Sequence, residues 1–324
     1  MSAIDRAALA RRVPPMRAAA EARLPAEASL VRRLAFVFAR DHARGWRRLA
    51  FLSVPLVPFL GAATVLVAAA FGMQLDMELG ASPRDLVATG LGYWHSFAIG
   101  WLLLFAAGSI APAIAEDAAA GALLLYFVRP LAPRHYLAAR WAAAAWVGAL
   151  VTAVPSLLLG LAAWGALGGD DAATAAWLGL LVGHALSIVA VAIVVALPAL
   201  GAGLAVRSAA RAPWLFGVAL LGTVVLTAWL RGEGAHVALT GAVDLIGGLR
   251  APTLLLDWLR DAPLHKGAAA VAAIARTGAE VERVGWGDVW PALLGAATWV
   301  AVAAVTWQLA TVRLERHTPG RGGR

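Results

Sequence analysis

The side chains in this 324-residue chain that are equipped for chemistry are few and mostly gathered in one stretch. Between Ile110 and Trp141 the sequence IAPAIAEDAAAGALLLYFVRPLAPRHYLAARW holds Glu116, Asp117, Arg129, Arg134 and Arg140, between two segments apolar enough to cross a bilayer. Charges this dense are too costly to face lipid at mid-membrane, so the stretch must be a loop at the membrane surface. Glu116 and Asp117 are adjacent, and capping a helix accounts for them better than acid–base work does. The other candidate is His184, the one strongly ionisable side chain well inside an apolar segment. An intramembrane histidine marks a candidate polar site; the structural alternative is a neutral imidazole satisfied by a backbone carbonyl.

Other chemistries are excluded by what the sequence lacks. There is no GxxxxGK[ST] phosphate loop and the single lysine is Lys266, so the chain has no Walker A motif with which to hydrolyse ATP. It has neither an HExxH helix nor a GxSxG elbow, and no pair of carboxylates inside an apolar segment. The absence of cysteine rules out disulfides, thiolate metal sites and cysteine nucleophiles. No catalytic residue, metal or cofactor is therefore expected of this chain.

The elements that must position these residues are membrane helices. Hydrophobic residues make up 61% of the chain and charged ones 14%, with a mean hydropathy of +0.76, leaving too little polar surface to cover a soluble core. The expected fold is an all-α membrane protein with six transmembrane helices in residues 49–310. Those spans are placed at about residues 49–72, 93–115, 138–167, 176–205, 213–230 and 289–310. Residues 1–28 read as a basic cytoplasmic tail and 29–48 as an amphipathic interfacial helix. Arg33, Arg40, Arg44 and Arg47 fall on one side of that helix, with Leu30, Val31, Leu34, Val37, Phe38 and Trp46 on the other. The arginine-rich start lacks the apolar core of a cleavable signal, so the first span is expected to direct insertion. The coupling loop covers 116–137, an external segment 231–287 and a cytoplasmic tail 311–324. Short helices are expected in the external segment at 243–249, 253–259 and 268–274. His95, near the end of the second span, reads as an interfacial residue reaching water.

Of the 27 Lys and Arg residues, 20 fall in segments assigned to one side, 1–48, 116–140, 205–212 and 311–324. That asymmetry is the positive-inside rule: it predicts both termini in the cytoplasm of a multi-pass plasma (inner) membrane protein, and it argues against nucleic acid as the partner of the +8 net charge.

Within the loop, Ala118 to Val128 is built of good helix formers, with Glu116 and Asp117 where a helix N-terminus favours negative charge. Arg129-Pro130 should end that helix. An acidic pair, a glycine four residues on, a leucine-rich turn, Arg-Pro and a basic step into the next span resemble the first cytoplasmic loop of ABC-2 type transporter permeases. The matching positions are Glu116, Asp117, Gly121, Leu123, Arg129, Pro130, Arg134, Leu137 and Arg140. Ala122, Val128 and Arg140 replace the family's usual Thr, Ser and Lys. The resemblance implies a permease subunit without its own ATPase, moving an unidentified substrate, most often outward. Glu116, Asp117, Gly121, Arg129, Pro130 and Arg134 would couple it to a cytoplasmic ATP-binding subunit, where ATP and magnesium would reside. It also implies a second permease copy, identical or related. Two alternatives stay open: a six-helix membrane enzyme or sensor using His184 or the external segment, and an ABC-like complex that acts mechanically on a periplasmic partner.

Overall fold

The computed structural model describes residues 27–42, 52–57, 59–60, 83–123, 126, 132–167, 171–206, 208–259 and 284–315. Every regular element among them is helical. In chain order these are α1 (Glu27–His42), α2 (Pro83–Phe105), a π-helical turn (Ala106–Ile110), α3 (Ala111–Ala119), α4 (Pro133–Leu167) and α5 (Asp171–Val206). Then follow α6 (Ala212–Gly232), α7 (Val237–Val243), α8 (Leu245–Leu249), α9 (Ala251–Leu259) and α10 (Trp286–Glu315).

Five helical stretches are long and apolar enough to cross a membrane: Trp94–Ala119, Pro133–Leu159, Leu181–Val206, Ala212–Gly232 and Trp286–Glu315. This is a multi-pass helical protein. The expected first span, 49–72, lies largely outside the described residues; within it, Val54 and Pro55 form a turn between short helical pieces, as a proline that removes a backbone donor would dictate. Arg44, Trp46 and Arg47 of the expected interfacial helix, and the helix expected at 268–274, lie outside the described residues as well.

The three inner spans owe their position to small residues. The windows of α2–α3, α4 and α5 are 61%, 61% and 56% buried, whereas those of α6 and α10 are only 11% and 22% buried. Alanines 139, 143 and 144 of α4 are almost fully enclosed. A methyl group on Gly203 of α5 would come within 2.1 Å of the Ala111 carbonyl oxygen, so these two helices touch backbone to backbone. At the periphery, α6 presents Trp214, Val218, Leu221, Val225 and Trp229 outward. That is an apolar face far larger than water tolerates and well suited to lipid.

α4 and α5 have 35 and 36 residues, about 53 Å of helix against a hydrocarbon core of about 30 Å, so each projects beyond the membrane. The alternation of directions puts α1, the α3–α4 turn, the α5–α6 turn and the end of α10 together at one end, hereafter the loop end. At the far end, α7, α8 and α9 lie against α10, with α9 also touching α5. Gly248 meets the backbone of Gly295 and Ala296, and Gly241 that of Pro291; an added methyl would sit 2.3 Å and 2.7 Å from those atoms. α7 and α8 are thus seated on α10 through glycines.

α1 differs from its helical-wheel expectation in one respect. Phe38 is buried and Phe36 exposed at 73%, but Val37, assigned to the apolar side, is half exposed. Its inner face packs on α4, so it is held by the bundle.

Candidate functional site

The charged loop is built differently from its sequence expectation. The helix does not begin at Ala118 with acids at its N-terminus; α3 runs on from the span to Ala119, which puts Glu116 and Asp117 in its last turn. Carboxylates there face the negative end of the helix dipole and need a cation. The Ala120 N–H donates to Glu116 at 2.9 Å, and the Gly121 N–H to Ala118 at 3.2 Å. Gly121 then adopts φ +69° and turns the chain. A methyl at Gly121 would meet nothing within 4 Å, so glycine is required here by backbone conformation and not by crowding. Beyond it, Ala122, Leu123 and Tyr126 are again helical.

The cation is Arg140, about one turn beyond Tyr136 on α4. Its Nε donates to Asp117 Oδ2 at 3.0 Å, its Nη2 makes a second contact with the same oxygen, and the Tyr136 hydroxyl donates to it as well. The side chains of Arg140 and Asp117 are 6% and 14% exposed. The Arg140 guanidinium also lies 3.8 Å over the Phe38 ring of α1, and Phe38 packs edge-on against Tyr126 and Tyr136. One carboxylate therefore ties α3 to α4, and one arginine ties both to α1. Burial, and after it the nearby Asp117 carboxylate, push the Tyr126 phenol above its ordinary value, so it stays neutral.

Beside this cluster the π turn brings Ser109 to α1, where His42 Nδ1 meets its hydroxyl at 2.8 Å. A polar cavity of about 180 Å³ opens between them, lined by Asp41, His42, Ser109, Glu116, Asp117 and Arg140. π turns frequently mark positions where a helix must bend or re-aim side chains. His42 and Ser109 stand at the separation of a base and a hydroxyl it could activate. The polar and aromatic contacts together tie α1, α3 and α4 to one another.

Of the residues expected to act at the loop, Glu116 and Arg134 are exposed, Asp117 is turned inward and Gly121 forms the turn. Arg129 and Pro130 lie outside the described residues. Sequence reasoning missed Phe38, Tyr136, His42 and Ser109, and assigned Arg140 only as a counterpart of the family's lysine. The aromatic spacing Phe38, Tyr126, Tyr136 was the available signal.

His184, at the far end, is not alone. Its ring meets that of His95 edge-on, with centroids 5.5 Å apart. His95 is 2% exposed, so it does not reach water as expected; its Nε2 lies 2.6 Å from the Thr253 hydroxyl of α9. Thr253 in turn meets the Ser187 hydroxyl of α5 at 2.9 Å. Nearby, the Trp94 indole N–H donates to Ser156 at 2.6 Å. This buried polar chain joins α2, α5 and α9. Among the described residues no three His, Asp or Glu side chains are grouped to hold a metal.

No protein-family model matches the chain, and no curated protein is significantly similar to it. The geometry alone has to carry the functional reading.

Proposed function

We propose that the chain is the membrane-spanning subunit of an ABC-2 type transporter, driven by a separate cytoplasmic ATP-binding subunit. The observation that carries this reading is the buried tie at the end of α3. Asp117 joins it to Arg140 and Tyr136, and Phe38 joins it to α1, so a push on the exposed side chains Glu116 and Arg134 would move three helices as one body. Such a lever suits a bundle that has no ATP site of its own, because a two-state membrane domain needs only displacement from its motor. In this reading the loop end faces the cytoplasm in the plasma membrane, a first span in 49–72 completes six, and a second copy pairs with this one. Arg129 and Pro130 extend the contact.

The geometry divides the roles. Glu116 and Arg134 would meet the ATP-binding subunit, while Asp117 and Gly121 shape the turn that presents them. Co-purification of the full chain with the product of an adjacent ATPase reading frame tests this. Glu116→Gln with Arg134→Gln should lower substrate-stimulated ATPase activity about tenfold while the chain stays folded, as expected for loss of about 1.4 kcal/mol of contact energy. Full stimulation in that variant, or failure to find any ATP-binding partner, would remove the proposal.

A second reading draws on the far end. The glycine-seated contacts of α7 and α8 with α10, and the His95–Thr253–Ser187 chain, would transmit movement of the spans to the external segment. An assembly that acts mechanically on a periplasmic partner would use that connection.

A further inference from the structure

We infer that the groove between α6 and α10 holds one acyl chain of a phospholipid with an anionic headgroup, its phosphate at Arg313. The groove is a cavity of about 420 Å³ floored by Pro198, Gly201 and Ala202 of α5 and walled by the two peripheral spans. It runs from Trp299 to Arg313 along α10, a rise of about 21 Å, so its mean cross-section is about 20 Å². At that section a single polymethylene chain reaches the floor of the groove, whereas an α-helix about 10 Å across would seat on its rim.

The two ends of the groove differ in the way an amphiphile requires. At the far end Trp299 is buried, and its indole N–H donates to the Leu245 carbonyl at 2.6 Å, closing the groove with an apolar ring. At the loop end Arg313 is exposed and steadied by donation from Nη1 to the Leu204 carbonyl at 3.2 Å. The positive end of α6, with Arg211 as its N-cap residue, begins at the same end of the bundle, and helix N-termini favour negative charge. Arginine binds phosphate through paired donors, which a zwitterionic headgroup answers less well because it brings its own cation.

The inference concerns a lipid site in the bundle and holds whether or not the chain is a permease. The full chain, reconstituted in vesicles of equal phosphatidylglycerol and phosphatidylcholine, would be extracted gently and its retained lipid counted by native mass spectrometry. Wild type should keep one phosphatidylglycerol per chain, preferred over phosphatidylcholine about tenfold, the worth of a charge-assisted contact. Arg313→Gln should abolish the preference and Arg313→Lys should keep most of it. Ala219→Trp, which fills the groove from its exposed, lipid-facing wall, should abolish retention. The inference is overturned if wild type keeps no lipid, if it keeps both lipids equally, or if Ala219→Trp changes oligomeric mass while lipid stays bound.

Discussion

Asp117 accepts from two side chains on α4 in surroundings that are nearly closed to solvent, and this makes it a residue of structure before it is a residue of contact. Removing one partner of a buried ion pair leaves the other charged and unpaired, at a cost of about 3–5 kcal/mol, far more than an exposed pair is worth. Asp117→Asn should therefore lower thermal stability in detergent by that amount, and adding Arg140→Met should recover most of it because the uncompensated guanidinium is gone. Glu116→Gln, at an exposed position, should change stability by no more than about 0.5 kcal/mol. Equal effects of Asp117→Asn and Glu116→Gln on unfolding would contradict the division of roles between them. The acid pair was legible in the sequence as unusual charge between apolar runs. Its split was not, because Asp117 and Arg140 are 23 positions apart across a turn, and no helical periodicity links them. His95 and Thr253, separated by 158 positions, were hidden for the same reason, so His95 read as an interfacial residue.

Elements were legible wherever hydropathy decides them, and obscure wherever backbone conformation does. The five described spans follow from apolar runs long enough to cross, and α8 and α9 from short apolar patches interrupted by charge, whereas α7 was not expected. The end of α3 was misread because alanine and leucine favour helix on both sides of Gly121, whereas the positive φ at Gly121 ends it. Ala106–Ile110 carries no residue that announces a π turn. Glycines at two positions separate these effects. Gly121→Ala should cost about 1 kcal/mol through the left-handed backbone alone, and leave neighbouring contacts intact. Gly248→Ala would place a methyl within 2.3 Å of the Gly295 carbonyl carbon, and should cost about 1–3 kcal/mol by forcing α8 from α10. Hydrogen exchange over 245–249 should quicken in the second variant and not in the first. Thr253→Val should likewise speed exchange in α9, by about 1–3 kcal/mol of lost protection, since it strands Ser187 and His95 of one shared partner.

For the whole molecule, the distribution of small residues sets which spans lie inside, and the distribution of arginine sets the expected orientation. α2–α3, α4 and α5 form the centre, α6 and α10 face lipid, and the loop end gathers α1, the Asp117 cluster and Arg313. The account stands on that loop end being cytoplasmic and available to a motor. Because the chain has no cysteine, Ala118→Cys, at an exposed site in the last turn of α3, gives a unique label. Its reaction with a membrane-impermeant maleimide should be seen in inverted vesicles, be blocked there by a bound ATP-binding subunit, and be absent in intact cells. Labelling from the outside of intact cells would contradict the account.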